Sequence, residues 1–572
     1  MEGTEMNAGQ IIAHTLKLYG IEHFFAMPGG EQDIWLGLHD AGIGFVLAHS
    51  ERAAVAMADA FARVTGKPSF TFGTTGPGAV VCVSGLADAW WGQSPVVCLT
   101  GSTVSSNLYR YAYQGIDDQQ SLFRPITKWT ALVPGVARLP DMLRTAIRIA
   151  VGGVPGPVHL DIPAELVVRS SPFDLADPQL YAEPEFKHFP AWRPAPAGAD
   201  IERAVALLAG AKRPLVLAGG GVIMSEAWQE LAAFAEGLCI PVVTSSAGKP
   251  SIPSGHPLAV GGLGNYSRKV ANDVAARCDV CIVVGSNLGD HTTKGGQAPG
   301  STAKIVHVDI DPAVLGAAYR EEVSVLADAK LSLKAMTEAS VALQKKPRRW
   351  AEWVTEVQSM VAAWHAAFRE KAADGGREGA INPYSVMAAL NRVLGPDDIV
   401  VADTGFIGAF GNALVEVKAA GRKYIRTAGS LGWAFPASLG AQLAVGRRGR
   451  VVCLTGDGGF GYHAPDVESA VRCGLPVLAV VLNNSTLGMI RYAQKVGYKR
   501  DFPEVNDFRH VDYGVVARGF GAYGDNVTRS QDVEPAMRRA LDSGRPAVVN
   551  ITTDPDTPAP VATYEKFLPR TV

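Results

Sequence analysis

Cysteine is scarce in this chain: seven residues in 572, an odd number, which argues against a disulfide framework and for a reducing compartment. An excess of charge of one sign is also lacking. Lys and Arg number 53 against 55 Asp and Glu, a formal net charge of -2, so there is no basic field to hold a nucleic acid. Long apolar runs are missing as well: stretches such as Pro476 to Leu482 fall far short of the ~20 residues that span a bilayer. Met1 to Gln10 is acidic and carries no hydrophobic signal region. These absences predict a cytoplasmic chain with neither nucleic-acid nor membrane partners.

What is present is the balance of a globular protein, with 47% hydrophobic and 19% charged residues, 62 glycines and 36 prolines. At roughly 150 residues per domain the length predicts two to four domains. Two stretches break the periodicity. Ser170 to Ala199 carries Pro172, Pro178, Pro184, Pro190, Pro194 and Pro196, and Lys345 to Arg349 is a basic run with Pro347, followed by a helical pattern around Trp353 to Ala373. The reading is three domains, 1–185, 198–345 and 375–553, and a tail, 554–572.

Short apolar runs alternate with amphipathic segments: Phe45 to Ala48 before a helix from Arg52 to Thr65, then Pro214 to Ala218, Lys304 to Val308, Ile399 to Ala402 and Val451 to Leu454. That alternation marks βαβ units and parallel sheets, so the fold class is α/β. The pair Cys278 and Cys281 fits C-x-x-C, but the run into Gly285 reads as a buried strand end and no second pair supplies metal ligands, so packing is expected.

A repeat links the outer domains. Ser69 to Phe72 runs into Gly73-Thr74-Thr75-Gly76-Pro77-Gly78, and a helix then leads to Pro95-Val96-Val97. Val451 to Leu454 runs into Gly456-Asp457-Gly458-Gly459, and a helix leads to Pro476-Val477-Leu478. Gly76 and Pro95 are 19 residues apart, Gly456 and Pro476 are 20. Each loop then lies at a strand's C-terminal end, where open α/β sheets bind ligands.

The most specific segment is Gly456-Asp457-Gly458-Gly459, followed 24 residues later by Asn483-Asn484-Ser485-Thr486-Leu487-Gly488-Met489. Glycines let the backbone approach a phosphate at a helix N-terminus. Asp457, the Asn484 amide oxygen and a backbone carbonyl, taken as that of Thr486, are hard oxygen ligands suited to Mg²⁺ on a diphosphate.

This spacing resembles the thiamine diphosphate motif of the acetolactate synthase-like enzymes, and the resemblance covers essentially the whole chain. It implies a pyrimidine-binding domain, a central Rossmann-like domain and a diphosphate-binding domain, in a homodimer or homotetramer with active sites at the subunit interface. Glu51 matches the family's essential glutamate, which shifts the cofactor's aminopyrimidine toward the form that activates thiazolium C2; a helix-start Glu is the alternative. One departure stands beside it, Ser50 where the family has His. Leu431, in Gly429-Ser430-Leu431-Gly432-Trp433, matches the apolar prop of the bent cofactor. Thr75 and Gly76 on one side, and Thr404, Gly405, Phe406 and Ile407 with Leu487, Gly488 and Met489 on the other, are expected to line it.

Tyr113-Gln114, followed by Pro125-Ile126-Thr127-Lys128-Trp129, resembles benzaldehyde lyase and the 2-hydroxyacyl-CoA lyases, where the Gln reaches the substrate. Glu31 matches a position facing the active site, as an acid/base or as a cap of the following helix. Gly219-Gly220-Gly221 and Asp309 suggest a nucleotide in the central domain, with CoA or ADP, FAD or an empty pocket left open. Ala493, where acetolactate synthases carry a large aromatic, and the tail with Tyr564, Lys566, Phe567 and Arg570 as a lid tilt the reading to an acyl-CoA substrate. The expectation is therefore a thiamine diphosphate- and Mg²⁺-dependent 2-hydroxyacyl-CoA lyase releasing formyl-CoA and an aldehyde or ketone. The alternative is an acetolactate synthase or benzaldehyde lyase-like carboligase, or a 2-keto acid decarboxylase, without CoA.

Overall fold

The computed structural model describes residues 5–167, 170–171, 177–345 and 349–561. The chain divides into two compact units. One comprises Met1–Trp192, Thr427–Arg448 and His463–Val477, and the other Arg193–Arg426, Gly449–Tyr462 and Leu478–Val572.

The apolar runs form strands because both of their faces are covered, as parallel sheets require. In the first unit these are β1 (His23–Ala26), β2 (Gly44–Leu47), β3 (Ser69–Gly73), β4 (Val96–Ser102), β5 (Thr130–Leu132) and β6 (Val158–Pro163), in the all-parallel order β2-β1-β3-β4-β6-β5. The second unit holds two such sheets. In the central one, β7 (Pro214–Ala218), β8 (Val242–Thr244), β9 (Ala259–Gly262), β10 (Val280–Val284), β11 (Lys304–Asp309) and β12 (Val323–Leu326) are ordered β9-β8-β7-β10-β11-β12. Counted from its own first strand this is 3-2-1-4-5-6, the doubly wound order of dinucleotide-binding folds. In the other, β13 (Ile399–Ala402), β14 (Tyr424–Arg426), β15 (Val451–Gly456), β16 (Leu478–Asn483), β17 (Tyr523–Val527) and β18 (Ala547–Thr552) are ordered β14-β13-β15-β16-β18-β17.

The two outer sheets therefore share one order, 2-1-3-4-6-5 counted from the first strand of each. The loops Gly73–Gly78 and Gly456–Gly459 both follow the third strand, so the spacing repeat in the sequence is a structural one. Val451 to Leu454 and Ala479 to Val481 are wholly buried, and burying each aliphatic side chain stabilises by ~1.5–3 kcal/mol.

Six helices matter to the site: α1 (Glu51–Thr65), α2 (Pro77–Trp91), α3 (Phe406–Leu414), α4 (Ala434–Val445), α5 (Asp457–His463) and α6 (Gly488–Tyr498). No described helix is long and apolar enough to cross a membrane.

Candidate functional site

In the first unit the candidate residues gather where strands of one sheet end. Ser50 caps α1, its Oγ accepting from the Ala53 N–H at 3.1 Å, so the residue that departs from the family pattern has a local role. Glu51 follows at the first helical position, and burial raises its carboxyl above the usual range. Its Oε1 lies 2.8 Å from where a Cβ on Gly78 would sit, which brings it to the loop after β3.

Glu31 reaches the same loop from β1. It precedes a helix (Gln32–Asp40) but its side chain makes no cap; the carboxylate accepts from the Thr74 hydroxyl at 3.0 Å. Glu31 is 8% exposed, and burial pushes its carboxyl up while bonds from Thr74 and the Thr75 backbone pull it down. Gly76 turns this loop at φ 68°, ψ -104° to start α2, a conformation that side-chain-bearing residues rarely adopt. A Cβ there would also come 1.9 Å from the Gln114 carbonyl oxygen. The loop bearing Tyr113 and Gln114 is thus packed on Gly76 by its backbone, while both side chains are exposed.

The segment carrying Leu431 belongs to this unit as well, held by three side chains that sequence spacing does not mark. Asp88 on α2 accepts from the Thr427 hydroxyl and the Ala428 N–H, each at 2.7 Å. Arg52, next to Glu51, donates to the Leu431 carbonyl at 2.6 Å, and the Trp433 indole donates to the fully buried Asp59 at 3.1 Å. Leu431 itself is half-buried.

In the second unit, Thr404, Asp457 and Asn484 follow β13, β15 and β16, which are adjacent strands. Gly405 (φ 69°) starts α3. Asp403, missed by motif reading, organises the base of these loops: it is 1% exposed and accepts from the Thr455 hydroxyl at 3.1 Å and the Thr404 N–H at 2.8 Å. A polar residue directly at the end of an apolar strand was its only signal.

The glycines are needed because the loops interlock. A Cβ on Gly459 would meet Asp403 Oδ2 at 2.7 Å and Thr455 Oγ1 at 2.8 Å; on Gly458, Leu487 at 3.2 Å; on Gly488, Asn484 at 2.9 Å and Phe406 at 3.1 Å. Replacing Gly459 by Ala is expected to destabilise by ~1–3 kcal/mol through overpacking, readable as a lower urea midpoint at unchanged slope.

Asp457 is 6% exposed, and its Oδ2 has no hydrogen-bond partner among the described residues. Burial pushes its carboxyl up to about 6 against bonds from the Gly458 and Ser485 backbone. Asn484 Oδ1 accepts from the Thr486 N–H at 3.2 Å and the Thr486 carbonyl from the Gly488 N–H at 2.8 Å, so each oxygen keeps a second lone pair. Met489 accepts from the Tyr266 hydroxyl at 3.3 Å. No group of three or more His, Cys, Asp and Glu suited to a metal occurs among the described residues, so any cation here relies on one carboxylate with amide and carbonyl oxygens.

Family models match in three places: the N-terminal TPP binding domain of thiamine pyrophosphate enzymes over residues 6–122, their central domain over 201–336, and their C-terminal TPP binding domain over 403–551. The chain belongs to the acetolactate synthase-like family of thiamine diphosphate enzymes. It is 32% identical to a probable acetolactate synthase large subunit of Methanocaldococcus jannaschii, over 97% of this chain and 93% of that protein. Against acetolactate synthase isozyme 3 large subunit of Escherichia coli the identity is 30%, over 96% and 95%, and against the large subunit of Parasynechococcus marenigrum it is 32%, over 96% and 89%.

For this family member the three-domain α/β expectation holds, and the 2-hydroxyacyl-CoA lyase expectation does not. It is corrected by these end-to-end relatives, all named acetolactate synthase large subunits. The features weighted toward CoA were permissive ones. Ala493 lies half-buried on α6, where a small side chain leaves space without selecting a ligand. Tyr564, Lys566, Phe567 and Arg570 lie outside the described residues. The central glycines have a packing cause: a Cβ on Gly219 would come 1.9 Å from the Gly285 carbonyl oxygen, and one on Gly221 2.6 Å from Gly285 Cα. Asp309 ends β11 and accepts from the Asp311 N–H at 3.0 Å. Cys278 and Cys281 are buried, with Cys278 Sγ donating to the Ala275 carbonyl at 3.2 Å, as packing residues do.

Proposed function

We propose that the chain is a thiamine diphosphate- and Mg²⁺-dependent carboligase of 2-oxo acids, joining two pyruvates to acetolactate with loss of CO₂. The observation that carries this reading is the similarity over 97% of the chain to a relative named as an acetolactate synthase. The donor chemistry fits the cofactor. Asp457 brings a buried carboxylate oxygen that lacks a partner among the described residues, and with Asn484 and the Thr486 carbonyl it would hold Mg²⁺, a hard cation that takes oxygen ligands. Thr404, Gly405, Phe406, Ile407, Gly456, Gly458, Gly459, Leu487, Gly488 and Met489 would line the diphosphate side, and Thr75 and Gly76 the pyrimidine side, with Leu431 as the apolar prop.

When bound, thiamine diphosphate supplies a carbon nucleophile that adds to a 2-oxo acid carbonyl and takes up the electrons left by CO₂. Glu51 holds the proton that tunes the aminopyrimidine, and its burial favours that protonated state. Glu31, a buried carboxyl fixed by Thr74, gives a proton to the carbonyl oxygen that becomes the product's hydroxyl. The Gln114 amide, on the loop that also carries Tyr113, would orient the acceptor acid without a proton of its own to lose, and Ala493 would contribute a small side chain to the substrate side. Two pyruvate anions and one proton thereby give one acetolactate anion and one CO₂.

A homodimer or homotetramer is the proposed working form, supported by the exposed apolar residues Val80, Val81 and Trp91 along α2. Light scattering is expected to give twice or four times the chain mass. Incubation with thiamine diphosphate, Mg²⁺ and pyruvate is expected to yield acetolactate by mass spectrometry. Absence of any cofactor-dependent product from pyruvate or other 2-oxo acids would overturn the proposal.

A further inference from the structure

Beneath the loop shared by Glu31, Gly76 and Gln114 runs a buried polar chain that the proposed reaction leaves unused. Its centre is Gln119, 1% exposed, five residues beyond Gln114. The Gln119 Oε1 accepts from the Gly76 N–H at 3.0 Å. Its Nε2 points at three acceptors: the Gly101 carbonyl at 2.8 Å, Asp161 Oδ1 at 2.8 Å and Thr100 Oγ1 at 3.1 Å. Asp161 also accepts from the Thr100 hydroxyl at 2.9 Å and from Gln120 Nε2 at 3.3 Å.

The Thr100 hydroxyl, having given its proton to Asp161, is left to accept from His159 Nε2 at 2.7 Å, which makes His159 Nδ1 the acceptor for the Thr130 hydroxyl at 2.7 Å. His159 is stacked on Phe123 with ring centroids 3.6 Å apart, so this end of the chain is rigid.

The arrangement needs a group that accepts at one end and donates at the other, and the neutral amide does both. Gly76 offers a donor on one side, whereas Asp161 and Gly101 offer acceptors on the other. A carboxylate would accept at both ends and a hydrocarbon at neither. The backbone of Gln114 is packed against Gly76, with its carbonyl oxygen where a Gly76 Cβ would stand. Gly101 in turn lies against Glu31, whose Oε1 is 2.4 Å from the corresponding point on that residue.

We infer that Gln119 is the positioning residue of the substrate side, holding the Gly76 turn, and through it the Gln114 loop, in register with Glu31 by a buried bond to Asp161. This deepens the carboligase reading and rests on it. The groups facing Gln119 that can change charge are Asp161, Glu31 across Gly101, and His159 through Thr100; Asp117 and Asp118 on its own segment are exposed. Burial pushes Asp161 up to about 6 and His159 down to about 3, so at neutral pH the acceptor is a carboxylate and the imidazole is neutral.

The test compares Q119L, Q119E and the Q119E/D161N exchange with the parent, as activity ratios from pH 5.5 to 8. Misplacement of reacting groups by an ångström costs about 10²-fold, so Q119L is expected to lose roughly that factor in kcat at every pH. Q119E sets two carboxyls about 3 Å apart, which must share a proton. Its activity is expected within about 5-fold of the parent at pH 5.5 and about 10²-fold lower at pH 8, with the alkaline loss reduced in the exchange variant, where the amide that D161N introduces can donate to the carboxylate while the Gly101 carbonyl still faces it. A Q119E deficit that is equal at all pH values, or a Q119L enzyme with parental kcat, would overturn the inference. Failure of the carboligase reading would appear differently, as a parent enzyme that makes no acetolactate.

Discussion

Glu51→Gln is expected to reduce acetolactate formation by about 10³-fold, within the range that a positioned acid or base contributes, with cofactor binding retained. The geometry makes this separable from damage to the fold. Glu51 begins α1 but the cap is Ser50, so an amide at position 51 leaves the helix start intact. The stability effect has a definite sign. The folded-state carboxyl titrates above its unfolded value, so its contribution is present below the unfolded value, near 4.5, and is lost as pH rises through the folded value. The variant should therefore gain in Tm relative to the parent at pH 8 and not at pH 4. A variant with near-parental turnover would remove Glu51 from the chemistry.

Asp457→Asn is expected to weaken Mg²⁺-dependent cofactor binding by at least about 10²-fold, beyond the 10–100-fold that outer partners of a metal are worth. The same change should stabilise the cofactor-free protein, because it removes a buried carboxylate oxygen that has no partner among the described residues. One kcal/mol corresponds to about 2–4 °C in Tm for a domain of 150–250 residues, so a rise of a few degrees is the expected reading in a thermal melt without ligand. A lower Tm together with unchanged cofactor titration would show that Asp457 serves the fold alone.

The glycine loops after the third strands were legible in the sequence because their cause is local: a strand must end, a helix must begin, and glycine is favoured where loops from neighbouring strands interlock. The equal spacing of Gly76 to Pro95 and Gly456 to Pro476 likewise announced two sheets of one strand order. What stayed hidden was set by contacts between distant residues. Asp88 and Asp59 hold Thr427 and Trp433 across more than 300 positions, and no period or motif connects them. Gln119 carries no motif of its own: Gln114, five residues before it, has φ 58° and an exposed side chain whereas Gln119 is buried, and spacing does not encode that difference. The CoA expectation failed for a different reason. An alanine on α6 removes an obstacle to a large substrate, but only convergent polar groups select one.

The most direct test of the central claim follows the carboxyl carbon of pyruvate. With pyruvate labelled with ¹³C at C1, the cofactor-loaded enzyme is predicted to send half of the consumed label to CO₂ and retain half in the acetolactate carboxyl, as ¹³C NMR would show. Release of all the label as CO₂, with acetaldehyde as product, would contradict carboligation.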